Sequence, residues 1–382
     1  MDAARPRVIT AARIITPSGD LTPGSVEIDG GRIVSVRAGV APGADLSATD
    51  GVLAPGFIDL QINGAAGVDF LSHVTDVAVT RVRRYLASTG VTAFLPTLIT
   101  SPSSHLGRAL RSWQRLMAQP GAPRILGIHL EGPYLNRQFK GAHPPRYLRA
   151  PDARHAAALL DAAPGAVRLM TLAPELPGAA GVIRVLRERG CVVAAGHTAA
   201  TYEQAQAAFG AGVTLVTHLF NAMRPVHHRD PGIVIAALEH PQVDISLIAD
   251  FIHVHPAMVR LAVQLKKERV ALITDAIAAA GSSRRVTRLG TRTVRVTDVP
   301  RLPDGTIAGS VLSMDAALRH AVSVGVSLRD AVLMVSAIPA RVLGRNDLGR
   351  IEAGKPADLV VLTREFRVRS VYTAGELTYG VA

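Results

Sequence analysis

Polar side chains that can bind a metal ion stand at the ends of several apolar segments of this 382-residue chain. Glu131 follows ILGIHL, His197 follows VVAAG, His218 ends VTLVTH, His253 comes just after DISLIAD, and Asp275 ends VALITD. One carboxylate and two imidazoles form a known catalytic zinc set that leaves the fourth position free for water. A single residue of this kind is commonly a helix cap or a hydrogen-bonded core residue. Five such residues in equivalent positions favour a shared metal site.

These positions belong to a repeated pattern in which apolar runs alternate with helical segments. The runs cover residues 55–62, 91–99, 125–130, 167–173, 191–197, 213–218, 244–250 and 270–275. Near-continuous apolar strands followed by helices are typical of a parallel sheet that is covered on its outside. Eight of them predict a closed (β/α)8 barrel, whose active site would lie at the carboxyl ends of the strands. An open doubly wound sheet would need a glycine-rich loop after its first strand, and Gln61-Ile62-Asn63-Gly64 is not one.

The two ends of the chain differ from this middle part. Residues 6–52 and 347–382 consist of short alternating strands joined by turns, with Gly30 and Gly31 as a two-residue hairpin turn. Neither end has enough apolar surface for a core of its own, so we expect them to form one small β-sandwich together. The predicted domains are therefore a sandwich from residues 1–52 plus 345–382 and a barrel from residues 53–344.

Composition restricts the partners of the protein. The formal net charge is +12, but the cations are dispersed and no nucleic-acid-binding module is recognisable, so we expect no specific nucleic-acid partner. A positive balance would suit an anionic small substrate. The chain has neither an apolar run long enough to span a membrane nor a signal-peptide pattern, which predicts a cytoplasmic protein without a membrane partner. The single cysteine, Cys191, excludes an internal disulfide and is predicted to be buried and unreactive.

A series of motifs resembles one enzyme family. PGFIDLQING, HLEGPYL, KGAH, AGHT, THLFNAM, RDPG, LITDA and GTIAGS occur in that order, and together they resemble the N-acetylglucosamine-6-phosphate deacetylases of the amidohydrolase superfamily. The resemblance implies hydrolysis of the acetamide of N-acetylglucosamine 6-phosphate to glucosamine 6-phosphate and acetate. It also implies one divalent metal ion per chain, with zinc expected and iron, manganese or cobalt as alternatives. A homodimer is implied as well, with phosphate-binding residues shared across the interface.

The resemblance assigns roles by position in these motifs. Glu131, His197 and His218 resemble the metal ligands. Asp275 resembles the catalytic aspartate, and His143 resembles the histidine that polarises the substrate carbonyl. The residues that resemble the substrate-binding set are Ala142, Asn221, Ala222, Arg229, His253, Ile307, Ala308 and Gly309, with Arg229 and His253 on the phosphate.

Two departures from the wider superfamily affect these expectations. Most members have His-x-His after the first strand, where this chain has Gln61-Ile62-Asn63. Amide carbonyls are poor zinc ligands beside imidazoles, so we expect no second tightly bound metal. A subset of the deacetylases has the same Gln-x-Asn. In the loop after Asp275, Ile277 and Ala279 replace the more usual Thr and Pro, for which we expect little effect beyond a looser loop.

Two alternatives remain open at the level of sequence. The first is another amidohydrolase that acts on a different N-acyl amino sugar or a cyclic amide. Dihydroorotases and N-acyl-amino-acid deacylases need His-x-His or a carboxylated lysine on the fourth strand, and VRLMTLAPE contains no lysine. The second is a catalytically inactive barrel that serves as a binding module. The presence of all three ligand candidates together with Asp275 argues against it.

Overall fold

The computed structural model describes residues 7–72 and 74–380. Residues 1–6, 381 and 382, which belong to the predicted sandwich, lie outside the described residues.

Eight parallel strands form the central sheet: β1 (Phe57–Ile62), β2 (Val91–Ile99), β3 (Ile128–Glu131), β4 (Val167–Leu172), β5 (Val192–Ala195), β6 (Leu215–Val216), β7 (Asp244–Leu247) and β8 (Val270–Leu272). Each coincides with a predicted apolar run. All residues of β1, β2 and β3 are buried because this sheet is covered on both faces.

The central sheet closes into a barrel. Consecutive strands pair in parallel from β1 to β8, and a short segment, Arg124–Ile125, also pairs with β2. At the carboxyl ends of β8 and β1, the Asp275 amide donates to the Gln61 carbonyl at 2.9 Å. The Asn63 amide donates to the Ala276 carbonyl at 2.7 Å. These bonds join the last strand to the first, and the predicted (β/α)8 barrel is confirmed.

Helices connect the strands and cover the outside of the barrel. Several of them begin at a side-chain cap; α5, for example, has a capping box between Thr201 and Gln204. The α-helices of the described residues are α1 (Asp76–Ser88), α2 (Ser103–Met117), α3 (Ala153–Asp161), α4 (Ala179–Glu188), α5 (Tyr202–Ala211), α6 (Gly232–Glu239), α7 (Pro256–Lys266), α8 (Met314–Ser323), α9 (Leu328–Val335) and α10 (Ala337–Val342). Short 3-10 turns occur at Arg137–Phe139, Pro145–Tyr147 and Lys267–Arg269. None of these helices has the length and apolar character needed to span a bilayer.

The two ends of the chain form one mixed sheet, which confirms the predicted association of the termini. Its strands are Arg7–Thr16, Gly19–Leu21, Gly24–Asp29, Arg32–Ala38, Leu46–Pro55, Leu359–Leu362, Val368–Thr373 and Glu376–Gly380. The junction is the antiparallel pair between Leu46–Pro55 and Leu359–Leu362. The sheet has a hydrophobic core of its own around Ile9, Val26 and Tyr372.

A three-stranded insertion after β8 covers one side of the barrel mouth. Its strands are Val286–Leu289, Arg292–Val296 and Pro300–Arg301. It packs on the barrel through a separate hydrophobic cluster made by Ile99, Ile277, Ala279, Leu289, Val294, Leu302 and Ala308. A two-stranded ribbon, Gly64–Ala65 with Val68–Asp69, follows β1 at the same end. These small sheets are not predictable from the sequence, because the strands of the ribbon are only two residues long and those of the insertion are short and partly exposed.

Cys191 precedes β5 and is buried, as predicted. Its thiol donates to the Val167 carbonyl at 3.1 Å, and burial raises the pKa of the thiol. A buried thiol with a raised pKa is a poor nucleophile.

Candidate active site

A pocket of about 380 Å³ opens at the carboxyl ends of the barrel strands, where barrel enzymes place their active sites. Five buried polar residues of its lining can take part in hydrolytic chemistry: Glu131, His143, His197, His218 and Asp275. All five are candidates predicted from the sequence. They come from four strand ends and one loop, and the barrel brings them together although they span 145 positions of the chain.

Three of these side chains point at a common position. Glu131 Oε1 lies 3.1 Å from His197 Nε2 and 3.0 Å from His218 Nε2, and the two ring nitrogens lie 3.2 Å apart. Glu131, His143 and His197 also place their ligand atoms within 4.8 Å of one another. Of the two candidates for the third ligand, His218 makes the closer approach, since His143 Nε2 is 3.6 Å from the other carboxylate oxygen.

This donor set fits a divalent metal ion. His197 Nδ1 donates to the Phe139 carbonyl at 2.8 Å, so its Nε2 presents a lone pair to the cluster. Two imidazole nitrogens and a carboxylate oxygen that face one another repel unless a proton or a cation lies between them. Tetrahedral zinc with bonds of about 2.1 Å separates its ligand atoms by roughly 3.4 Å, close to the distances observed. The Oδ1 atom of Asn63, buried at the same end of the barrel, has no hydrogen-bond partner among the described residues.

The two carboxylates of the pocket have opposite pKa shifts. Burial alone would raise the pKa of Glu131, but its close contacts with His143, His197 and His218 hold it well below its usual range. Burial and the nearby charge of Glu131 raise the pKa of Asp275 to about 7. A pair of acids whose pKa values are driven apart is typical of a site in which one acts as a permanent anion and the other exchanges protons.

His143 lies beside the cluster in a neutral state. Burial, together with the charge of His197, lowers the pKa of His143 to about 4. Its Nδ1 is 3.4 Å from the Thr100 amide and 2.9 Å from the Thr100 hydroxyl. An amide N–H can only donate, so Nδ1 accepts and the ring proton lies on Nε2, the atom nearer to Glu131. His143 can therefore donate a hydrogen bond into the pocket.

Gln61 and Asn63 hold the carboxylates in place. Gln61 Nε2 donates to Glu131 Oε1 at 3.0 Å and to Asp275 Oδ1 at 3.2 Å. Asn63 Nδ2 donates to Asp275 Oδ1 at 2.6 Å. Gln61 thus presents amide hydrogens rather than a carbonyl oxygen to the centre. The expectation of a single tightly bound metal stays a prediction.

The backbone is strained at three of the functional positions. His197, His218 and Asp275 have φ values of +50°, +34° and +47°, in the left-handed region that non-glycine residues rarely adopt. Each such residue costs on the order of 1–3 kcal/mol, which the surrounding structure must offset. Hydrogen bonds hold these turns; the Ser246 hydroxyl, for example, accepts from the His218 amide at 2.8 Å. At each of these positions the strained backbone conformation directs the side chain into the barrel mouth.

Most of the expected substrate-binding residues line the same pocket. They are Ala142, Asn221, Ala222, His253, Ile307 and Gly309. The other two do not line it: Ala308 is buried behind the pocket wall, and Arg229 is exposed, with its guanidinium 2.9 Å from His228 Nε2. His253 is ordered by a hydrogen bond from its Nδ1 to Asp250 Oδ2 at 2.6 Å.

Three residues in or beside the pocket are assigned no role from the sequence, although two of them belong to a PTLIT segment that also resembles the family. Thr100, which contacts His143, follows an apolar run and resembles an ordinary strand-end residue. Ile99 and Leu289 form part of the apolar wall, and they come from β2 and the three-stranded insertion. Their nearness to the site depends on how the insertion folds back over the barrel, which no local pattern records.

Comparisons with known proteins agree with this geometry. Residues 52–378 match the model of the amidohydrolase family. An N-acetylgalactosamine-6-phosphate deacetylase of Escherichia coli O157:H7 is 38% identical over 97% of this chain and 98% of its own length. The human N-acetylglucosamine-6-phosphate deacetylase is 40% identical over 86% of this chain and 83% of its own length.

A solved structure extends the likeness to three dimensions. The N-acetyl-D-glucosamine-6-phosphate deacetylase of Mycobacterium smegmatis, an aspartate-to-alanine variant in complex with N-acetyl-D-glucosamine 6-phosphate, superposes with a TM-score of 0.94 at 39% identity. The superposition covers 98% of this chain and 100% of that one. The chain therefore belongs to the amidohydrolase family, and within it to the N-acetylglucosamine-6-phosphate deacetylases.

Proposed function

We propose that this protein hydrolyses the acetamide of N-acetylglucosamine 6-phosphate to glucosamine 6-phosphate and acetate. The observation that supports this best is the convergence of Glu131 Oε1, His197 Nε2 and His218 Nε2 beside Asp275 in one buried cluster. The match to deacetylases over nearly the whole chain supports the substrate.

Glu131, His197 and His218 would hold one divalent ion, zinc being expected and iron, manganese or cobalt being alternatives. When bound, such an ion lowers the pKa of its water to about 7 and polarises a carbonyl oxygen. Asp275 accepts the proton of the attacking water and then delivers it to the nitrogen of the departing sugar amine, which is too basic to leave unprotonated. Both transfers need a carboxylate held in a fixed position, and the amides of Gln61 and Asn63 hold Asp275 there through Oδ1.

His143 donates from Nε2 to the carbonyl oxygen as negative charge develops on it. A neutral imidazole fixed by Thr100 is suited to this role because no reorganisation is needed during the reaction. Donors of this type are typically worth about 2.7–4 kcal/mol of transition-state stabilisation.

The substrate phosphate would be bound by His253 and by Arg229 of a second chain in a homodimer. Arg229 does not line the pocket of its own chain, and apolar side chains are exposed beside both residues. Val226 and Ile252 are 49% and 46% exposed, and apolar surface next to binding residues is typical of an interface. Light scattering of the purified protein should give the mass of two chains.

The test is an amine-release assay on the metal-loaded enzyme. We expect kcat/KM for N-acetylglucosamine 6-phosphate to exceed that for unphosphorylated N-acetylglucosamine by about 100-fold or more, as two charge-assisted contacts to phosphate would provide. Equal rates on both would contradict the phosphate assignment. Absence of amine release from either would contradict the proposed function.

The galactosamine epimer belongs in the same assay. The bacterial relative that matches 97% of this chain is an N-acetylgalactosamine-6-phosphate deacetylase, and the two substrates differ only in the configuration of one hydroxyl. We expect the glucosamine epimer to be preferred. A higher kcat/KM for the galactosamine epimer would keep the chemistry and reassign the substrate.

A further inference from the structure

A second pocket lies behind the wall of the active-site pocket, between α2, the segment after β2 and the three-stranded insertion. Its volume is about 370 Å³, against about 380 Å³ for the active-site pocket. We propose that it is a second binding site, for a small phosphate monoester such as a sugar phosphate. This inference is independent of the reaction assigned to the active site.

Two exposed arginines and an exposed histidine line this pocket. His105 and Arg108 from α2 and Arg288 from the insertion line it. No salt bridge within 4.0 Å joins any of these three to another described residue. Guanidinium groups bind phosphate through two parallel charge-assisted hydrogen bonds. Two such groups and an imidazole suit a doubly charged anion.

Asp69 is the one acidic residue in the lining, and its oxygens are already occupied. Oδ1 accepts from the Gly290 amide at 3.1 Å, and Oδ2 accepts from the Ser72 hydroxyl at 3.0 Å. Burial raises the pKa of Asp69 to about 6. Asp69 therefore anchors the insertion to the barrel. The charge of Arg288 acts on it, but among the described residues neither arginine forms a salt bridge with it.

Two hydroxyl groups of the lining also have no partner. Ser101 is only 7% exposed, and its Oγ makes no hydrogen bond within the described residues; the same is true of Thr291 Oγ1. Ser101 Oγ faces Gly290, since a Cβ atom on that glycine would lie 3.4 Å from it. Buried polar atoms are nearly always paired. Unpaired hydroxyls beside unpaired guanidinium groups indicate a ligand with several acceptor oxygens, as a phosphate has.

The second pocket shares its wall with the active site. Ser101 directly follows Thr100, which contacts His143, and Gly290 directly follows Leu289, which lines the active-site pocket. A ligand in the second pocket would therefore touch residues adjacent to two active-site contacts. We expect occupancy to change kcat without competing with substrate.

Calorimetric titration of the metal-loaded enzyme tests the proposal. The probes are inorganic phosphate and glucose 6-phosphate, a sugar phosphate without an acetamide. The double variant Arg108→Gln/Arg288→Gln should have one binding site fewer than the wild type, or bind there about tenfold or more weakly. The matched control is Arg111→Gln/Arg295→Gln, which removes the same charge from the same helix and insertion, outside the pocket lining. It should keep the wild-type number of sites.

Thr291→Val gives a second measurement, because it removes a hydroxyl and leaves the charge unchanged. This variant should weaken binding in the second pocket and leave binding in the active-site pocket unaffected. Tight binding of inorganic phosphate would mean that the pocket recognises the phosphate group alone, whereas binding of only glucose 6-phosphate would mean that the sugar contributes. Unchanged binding in the Arg108→Gln/Arg288→Gln variant, or an equal loss in the charge-matched control, would overturn the proposal.

Discussion

The floor and the rim of the active-site pocket are built differently. The floor, formed by Glu131, His197, His218 and Asp275, is at most 9% exposed and tied together by hydrogen bonds. The rim loop that contains Arg229 is exposed, and the guanidinium contacts only the neighbouring His228 among the described residues. Groups proposed to break the amide bond are thus in position within a single chain, whereas the proposed phosphate contact is not.

This difference follows the distinction between catalysis, assigned to the floor, and recognition of the phosphate, assigned to the rim. Catalytic groups gain most from a fixed arrangement, because no free energy is then spent on reorganisation during the reaction. A recognition group can be completed on binding or by a partner chain, since its contribution appears mainly as affinity. Changes to the floor should therefore alter mainly kcat, and changes to the rim should alter mainly KM.

The largest effect is expected from Glu131→Ala, at the centre of the floor. Loss of the carboxylate should remove the metal ion and reduce activity to background, measured by elemental analysis and amine release. Wild-type protein should contain one tightly bound ion per chain. The control Glu239→Ala removes an exposed carboxylate of α6 and should retain both metal and activity. Two tightly bound ions per wild-type chain would contradict the single-metal site.

Asp275→Asn should separate proton transfer from metal binding. The amide can keep the hydrogen bond from Asn63, so the fold and the metal content should stay nearly intact. We expect kcat to fall by about 10²–10⁴-fold, because the group that moves the proton is lost. Activity within tenfold of wild type in a folded, metal-loaded variant would assign the base to another residue.

Arg229→Ala should affect the rim alone. We expect KM for the 6-phosphate to rise by about tenfold to 100-fold, as for the loss of a charge-assisted hydrogen bond, with little change in kcat. The slow rate on unphosphorylated N-acetylglucosamine should be unchanged. Arg229→Lys should recover only part of the affinity, because an ammonium cannot bind two phosphate oxygens in parallel. Equal losses on both substrates would mean that Arg229 only orders its loop.

Mixing an Asp275→Asn chain with an Arg229→Ala chain tests whether the rim crosses between chains. The mixed dimers would have one site with both lesions and one site with neither. At substrate concentrations well below the KM of Arg229→Ala, the rate of the mixture should then exceed the summed rates of the two variants assayed separately. If heterodimers form and the rate does not exceed that sum, the phosphate is bound within one chain.

The smallest effect is expected from Asp59→Asn and concerns the thermal stability of the protein. Asp59 is fully buried, and burial raises its pKa to about 7 although Thr274 and the Gln61 amide donate hydrogen bonds to it. The folded state therefore binds this proton more tightly than the unfolded state. Its contribution to the free energy of unfolding should decrease as pH rises from about 4 to about 7. Asp59→Asn removes this pH-dependent contribution to the free energy of unfolding. The difference in Tm, variant minus wild type, should therefore be more positive at pH 8 than at pH 5. Parallel Tm curves, as expected for the exposed control Asp29→Asn, would refute this.

Much of the barrel could be predicted from the sequence. Strands buried on both faces must be apolar at nearly every position, as in β2, so each one is visible as an uninterrupted run. The candidate ligands could be predicted too, because the polar residue that ends each run interrupts the pattern. The three-stranded insertion could not, since its strand Val286–Leu289 is mostly exposed and has no such run.

The sequence alone therefore determined the barrel, the order of its strands and the residue types at their ends, because burial and periodicity are local properties of the chain. Only the tertiary structure decided which of those residues meet. The hydrogen bond between Asn63 and Asp275 joins positions 212 residues apart and depends on ring closure between β8 and β1. The placement of Thr100 against His143, and of Arg229 outside its own pocket, likewise follows from how loops pack over the barrel mouth. Such distances are set by the packing of whole elements, which no short stretch of sequence specifies.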